Sequence, residues 1–155
     1  MNDDAEDLLD RAQDAPTDNA VVEELNVRVI AEFRANGGQV SGWLADSDLL
    51  LLHHRGARSG VERVSPLGYL RHEGALLVVA SLGGAPVNPA WFHNIQANPD
   101  VTIEIGGETA AMTASVVSAD ERAVLWPLIT ARYPGQAEYQ TKTTRILPVV
   151  RLTNR

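Results

Sequence analysis

Between two apolar runs the chain carries Arg55-Gly56-Ala57-Arg58-Ser59-Gly60-Val61-Glu62-Arg63. Its two glycines free the backbone to aim amides at an anion, and Arg58, Ser59 and Arg63 would add guanidinium charge and a hydroxyl donor. The same residues suit a polar hairpin tip whose arginines face water, and spacing leaves both readings open. A P-loop is excluded, because no lysine–serine pair follows the second glycine and no helix begins there. A second stretch runs from Val78-Val79-Ala80-Ser81-Leu82-Gly83-Gly84-Ala85-Pro86 into Asn88-Pro89-Ala90-Trp91-Phe92-His93-Asn94. A strand that ends in serine and paired glycines, then enters a helix with an aromatic in its first turn, can offer amides and a flat wall to a planar ligand. Trp91 could equally be core, the commoner fate of a helix aromatic, and Asn94 suits bridging backbone better than catalysis. Tyr133 and Tyr139 flank Pro134-Gly135. Their phenols could serve as proton donors or as a substrate wall, or pack as ordinary aromatics with wet hydroxyls.

Other chemistries fall away. The chain has no cysteine, which removes disulfides, thiolate nucleophiles and cysteine-bound metal sites together. His53 and His54 would point to opposite faces of a strand, His72 sits at an expected turn and His93 stands alone, so the histidines read as structural or surface groups and no metal site is expected. No Gly-x-Ser-x-Gly elbow exists for a hydrolase triad. The net charge of -7 is concentrated in residues 1–20, with seven acids against Arg11; this leader reads as a solvated, flexible tail. Nucleic acid finds no basic face beyond the arginine turn. Neither a membrane-spanning run nor a signal peptide is visible, so a cytoplasmic location without stable membrane insertion is expected. Of the 13 basic residues only Lys142 is lysine, which favours bidentate recognition of phosphate or carboxylate wherever arginines cluster.

These residues need a frame. Val22, Leu25, Val29, Ile30 and Phe33 recur at helical spacing and Asn36-Gly37-Gly38 supplies a stop, predicting a helix over about 20–36. Asp48–His54, with its four leucines, reads as a buried strand. Val61–Arg71 extends with Pro66 as an interruption, and His72-Glu73-Gly74 turns the chain into Ala75–Ser81 as a hairpin. Asn88 before Pro89 predicts a short helix ending at Asn98-Pro99. Val101–Ile105 and Glu108–Val117 form a hairpin across Gly106-Gly107. Ser118 and Glu121 make a capping box for a helix to about Tyr133, broken by Pro134-Gly135. Gln136–Lys142 adds a helical turn and Ile146–Leu152 a final strand. This order predicts α+β with a closed or half-closed antiparallel barrel, in one domain over 21–155 behind the leader 1–20.

Gly56-Ala57-Arg58-Ser59-Gly60-x-x-Arg63-x-x-Pro66-Leu67, then Ala80-Ser81-x-Gly83-Gly84-Ala85-Pro86-x-x-Pro89-Ala90-Trp91-x-x-Asn94-x-x-Ala97-Asn98-Pro99, closely resembles the deazaflavin-dependent nitroreductase family. The likeness continues through Gly106-Gly107, Tyr133-Pro134-Gly135, Glu138-Tyr139-Gln140, Thr144 and Ile146-Leu147-Pro148-Val149, covering about residues 22–152. It implies an FMN-binding-like split β-barrel with flanking helices. It also implies an oxidoreductase that passes a hydride from the reduced deazaflavin coenzyme F420 to a quinone, nitroaromatic or other electron-poor small molecule. A non-catalytic deazaflavin or flavin carrier is the alternative, and FMN is the second choice of cofactor.

By the same resemblance Arg58, Ser59 and Arg63 would hold the coenzyme phosphate and acidic tail. Pro66, Val79 and Ser81 would lie beside the ring, with Ser81 near the reacting edge. Gly83 and Gly84 would admit the backbone, and Pro89, Ala90, Trp91 and Asn94 would line the groove. Tyr133 and Tyr139 would shape the acceptor side, either of them as proton donor. Three departures stand out. Leu82 replaces a lysine common in relatives, which leaves Arg55 as another cation for the tail. Gly68 and Gln136 replace aromatics and would reshape the acceptor pocket. The acidic leader favours a soluble acceptor or a loose encounter with quinone. Monomer and homodimer are both compatible with the resemblance.

Overall fold

The computed structural model describes residues 19–155. The acidic stretch up to residue 18 lies outside the described residues. Helix α1 (Asn19–Ala35) leads through a short 3-10 turn, Gly42–Leu44, into strands β1 (Leu49–Arg55), β2 (Glu62–Gly68), β3 (Leu70–His72) and β4 (Ala75–Val79). A second 3-10 turn, Leu82–Gly84, precedes α2 (Ala90–Ala97), β5 (Asp100–Ile105), β6 (Glu108–Val116), α3 (Ala119–Arg132), α4 (Pro134–Thr141) and β7 (Val149–Asn154).

All seven strands form one antiparallel sheet in the order β2-β1-β5-β6-β7-β4-β3. β2 and β3 are separated in the chain by Tyr69 alone, yet they occupy opposite edges. The sheet must therefore curl back on itself, giving a barrel split along one seam. The α+β split-barrel expectation holds.

The leucine run of β1 shows how the layers form. Leu50 and Leu52 face the barrel interior, where they meet Leu76, Val78, Ile103, Met112 and Val150 together with Trp91, Phe92 and Ile95 of α2. Leu49 and Leu51 point outward beneath Val29 and Phe33 of α1. A strand buried on both faces needs no polar alternation, which is why this run reads as continuous apolar sequence. On another outer face Leu125 and Ile129 of α3 pack on Leu77 and Val149.

Several boundaries differ from expectation for physical reasons. Pro66 does not interrupt β2: it pairs with Leu51 on an edge strand, where its missing N–H faces away from the ladder. The break comes at Tyr69, so only Leu70–His72 joins the hairpin with β4. Pro89, not Asn88, is the N-cap of α2, and Asn88 Oδ1 instead accepts a hydrogen bond from Arg145 at 2.7 Å. α3 ends at Arg132, as expected ahead of Pro134-Gly135, but Pro134 itself opens α4 in its first turn, two residues before the expected Gln136. Only half of the capping box forms, with Ser118 Oγ accepting from Glu121 N at 3.2 Å while the Glu121 carboxylate turns to Arg151. β7 begins at Val149 because Ile146 is exposed. Among the described residues no helix is long and apolar enough to cross a membrane.

Candidate active site

The β1–β2 connection is a tight glycine turn. Gly56 N donates to Val61 O and Gly60 N to Gly56 O, both at 2.9 Å, and Val61 N donates to Ser59 Oγ at 3.2 Å. A side chain at position 56 would bring its Cβ within 2.4 Å of Ser59 Oγ, so glycine is required for the hydroxyl to fold back. Arg58 is exposed, and no described carboxylate pairs with it. Arg63 lies 3.9 Å from Glu23, both exposed, a contact worth little in water.

A buried polar chain fixes this turn on the barrel. Asn94 Oδ1 of α2 accepts from Ala57 N at 2.9 Å, so its amide nitrogen faces His54 Nδ1 at 3.0 Å. That assigns Nδ1 as acceptor, leaving His54 Nε2–H to donate to Ser65 Oγ at 2.9 Å. Burial, aided by the nearby Arg63 and His53 charges, pushes His54 down to about 4 and keeps it neutral. His54 and Asn94, each more than 90% buried, thus tie β1, β2, α2 and the arginine turn together. The structural reading of the histidines is the one observed for His54. His53 serves a surface network with Glu62 and Glu104, the latter also holding Arg34 of α1 at 2.8 Å.

The second cluster surrounds Leu82–Gly84. Three consecutive residues are left-handed there, with φ of 45° at Leu82, 64° at Gly83 and 83° at Gly84. Gly83 opens to free space on its Cβ side. Gly84 differs: a Cβ there would stand 2.5 Å from Tyr139 O, so its missing side chain admits α4 rather than a ligand. Arg145, which no sequence signal singled out, donates to Ala85 O, Asn88 Oδ1 and Ser81 O at 2.7 Å each and to Ala80 O at 3.1 Å. The preceding Val79 is half-buried opposite Val149, Ser81 and Pro89 are buried, Ala90 is exposed, and Trp91 belongs to the core cluster.

The two tyrosines separate. Tyr133 OH donates to Tyr69 O at 2.7 Å and accepts from Asp48 N at 3.2 Å, stitching α3 to the barrel seam. Burial raises its phenol above the ordinary range. Tyr139, half-buried on α4, has Lys142 Nζ 5.7 Å from its ring centroid. On the same helix Gln136 Oε1 is buried without a hydrogen-bond partner among the described residues. Two surface hollows adjoin these groups. One, of about 270 Å³, is lined by Gly37–Val40, Ala45–Leu49, Tyr69 and Gly106. The other, of about 380 Å³, runs past His53, Arg55 and Asn98 below the turn.

The structure therefore brings Arg58, Ser59 and Asn94 together through Ala57, and Ser81, Gly83 and Gly84 together with Tyr139 across α4. Tyr133 stands apart at the seam beside Gly68. The residues fit a phosphate-bearing planar coenzyme. The exposed Arg58 guanidinium, paired with no described carboxylate, would suit the phosphate, the open space at Gly83 would leave room for the ring, and Gln136 Oε1, without a partner among the described residues, would offer a polar contact.

The class the fold defines is a split antiparallel barrel, with α2 in its core cluster and an arginine-bearing turn tied to that helix. Residues 26–154 match the model of the F420H(2)-dependent quinone reductase family. The chain is similar to F420H(2)-dependent quinone reductase Rv1261c of Mycobacterium tuberculosis, with 41% identity over 81% of this chain and 87% of that protein. Among solved structures, an F420-H2 dependent reductase (FDR-A) shares 39% identity at a TM-score of 0.62, covering 68% of this chain and 93% of its own. Another, described as a domain-swapped dimer, shares 36% identity at a TM-score of 0.63 over 89% of this chain and 99% of its own. This chain belongs to the F420H(2)-dependent quinone reductase family, and its cofactor is coenzyme F420.

Proposed function

We propose that the chain reduces a quinone-type small molecule with reduced F420, binding the coenzyme between the arginine turn and the Leu82–Gly84 segment. The coenzyme supplies a hydride when bound. Arg58, Ser59 and Arg63 anchor its phosphate and acidic tail, and Ala57 N–H, held by Asn94, fixes the height of that anchor. Pro66, Val79 and Ser81 flank the ring, Gly83 leaves room for it, and Pro89, Ala90, Trp91 and Asn94 form the wall. Gly84 acts indirectly, by seating α4. Tyr139 is the proton donor to the reduced acceptor, because the Tyr133 hydroxyl proton is already given to a backbone carbonyl that cannot pass it on. The work is cytoplasmic, on a small-molecule acceptor, by a monomer or homodimer.

The observation that carries this reading is the buried Ser65–His54–Asn94–Ala57 chain. It holds in one fixed position a turn whose Arg58 pairs with no described carboxylate, a preorganised anion receptor. The test is fluorescence titration with oxidised F420 and, in parallel, FMN, on wild type and Arg58→Ala. Saturable F420 binding is expected, weakened by roughly ten- to a hundredfold in the variant, the equivalent of about 1.5–3 kcal/mol for one charge-assisted bond. Unchanged affinity in both Arg58→Ala and Arg63→Ala removes the phosphate assignment. Oxidation of reduced F420 by menadione no faster with the protein than without it would leave a carrier.

A further inference from the structure

Among the described residues Arg145 is a half-buried cation served by neutral acceptors alone. All four belong to one segment, Ala80–Asn88, and no described carboxylate pairs with the guanidinium. Burial lowers its affinity for the proton, though an arginine remains charged. The segment it grips is intrinsically unfavourable. Left-handed backbone is strained at a residue such as Leu82, and such conformations persist only where surroundings over-determine them. Within the segment itself two bonds hold the turn, Gly84 N to Ser81 O at 3.0 Å and Ala85 N to Leu82 O at 3.1 Å. The guanidinium adds clamps at both ends, Ala80 and Ser81 before the turn and Ala85 and Asn88 after it. Arg145 is itself held, since Gln140 of α4 donates to its carbonyl at 2.7 Å while accepting from Arg122 at 3.1 Å and from Leu147 N at 3.0 Å.

We infer that Arg145 is a positioning residue for coenzyme binding: its planar fork clamps the two ends of the Leu82–Gly84 turn and holds that wall in the conformation the coenzyme meets. This rests on the coenzyme site proposed above. A guanidinium, with five donors in one plane, can satisfy four acceptors at once; an ammonium on a flexible stem cannot. Arg145→Lys keeps the charge and loses the clamp, so shape and charge are separable.

The test has two arms. Hydrogen exchange on the coenzyme-free protein should show the Gly84 and Ala85 amides exchanging at least tenfold faster in Arg145→Lys, with β5 and β6 amides unchanged. In the second arm the F420 dissociation constant and the KM for reduced F420 should rise about tenfold, with the KM for menadione and kcat at saturating coenzyme unchanged. Loss of folded fraction alone would lower apparent kcat and leave KM alone. Asn88→Asp, which preserves an acceptor for Nη1, should bind F420 as wild type does, whereas Asn88→Ala should lie between wild type and Arg145→Lys. Wild-type exchange together with wild-type coenzyme affinity in Arg145→Lys overturns the inference. If wild type itself binds no F420, the coenzyme site fails, while the exchange arm still decides whether Arg145 holds the turn.

Discussion

Asn94 carries two obligations at once, an acceptor for Ala57 N–H and a donor to His54. Asn94→Ala strips the buried His54 ring and the more exposed Ala57 N–H of their partner, and the orphaned buried group alone costs about 1–3 kcal/mol. Urea unfolding should report a loss of about 2 kcal/mol or more, accompanied by weaker F420 binding. The tyrosines give a sharper contrast. Tyr133→Phe should lower stability by about 1 kcal/mol through its two lost backbone bonds, with kcat for menadione kept within about twofold. Tyr139→Phe should leave the unfolding midpoint unchanged and slow turnover about a hundredfold or more, the scale of a lost general acid. Equal kcat losses in the two variants would cancel the separation of roles. At this scale the sequence exposed residues whose neighbours are near in the chain, such as the arginines and glycines of the β1–β2 turn. It was silent on Arg145, whose acceptors are mostly main-chain carbonyls some 60 residues away, because every residue has a carbonyl and none is marked as a target. The tyrosines looked alike for the same reason: the carbonyl that occupies Tyr133 belongs to Tyr69.

Elements depend on close approaches that particular glycines permit. Gly84 has φ of 83° and no room for a Cβ against Tyr139 O, whereas Gly83, also left-handed, faces open space. Gly83→Ala should therefore cost about 1–2 kcal/mol of backbone strain alone. Gly84→Ala must in addition displace α4, and its loss in thermal unfolding should be at least twice as large; equal losses would show that α4 yields freely. Element types were largely legible. β1 announced itself by leucines on both faces, and α3 by Ser118 ahead of an apolar pattern. Boundaries at proline were not. Pro66 and Pro89 each have a fixed φ and no N–H, but whether that ends, caps or decorates an element depends on what the missing donor would have faced. The neighbouring strand or helix turn decides that.

For the molecule as a whole, His54 makes stability depend on pH. Its pKa falls from 6.5 to about 4 on folding, so between those values the unfolded chain binds more protons and stability rises with pH. The contribution is complete above about pH 6.5, is lost as pH falls towards 4, and amounts to roughly 3 kcal/mol. Glu32 and Glu104, lowered by bonds to Ser41 and Arg34, lose their contributions only below the ordinary carboxylate range. Urea midpoints at pH 7 and pH 5 should differ clearly in wild type and converge in His54→Gln; persistence of the slope would place the titration elsewhere. Barrel closure was implied by the number of antiparallel strands, but the placement of β2 and β3 on opposite edges was not, since adjacent strands usually pair. At the discontinuity Tyr69 N donates to Asp48 O and Tyr69 O accepts from the Tyr133 hydroxyl, so both of its backbone groups are held by residues outside β3.

The position of β7 has a kinetic consequence. Among the described residues it is the only strand joining the four-strand group β2-β1-β5-β6 to the pair β4-β3, and it is made after all of them. Until it inserts, the edges of β6 and β4 both stand open and neither half can bury its inner face. Pairings this distant in sequence close slowly, so the interval before β7 arrives is when a nascent chain is most exposed to strand capture by another copy, and a chaperone that shields bare edges would be most useful then.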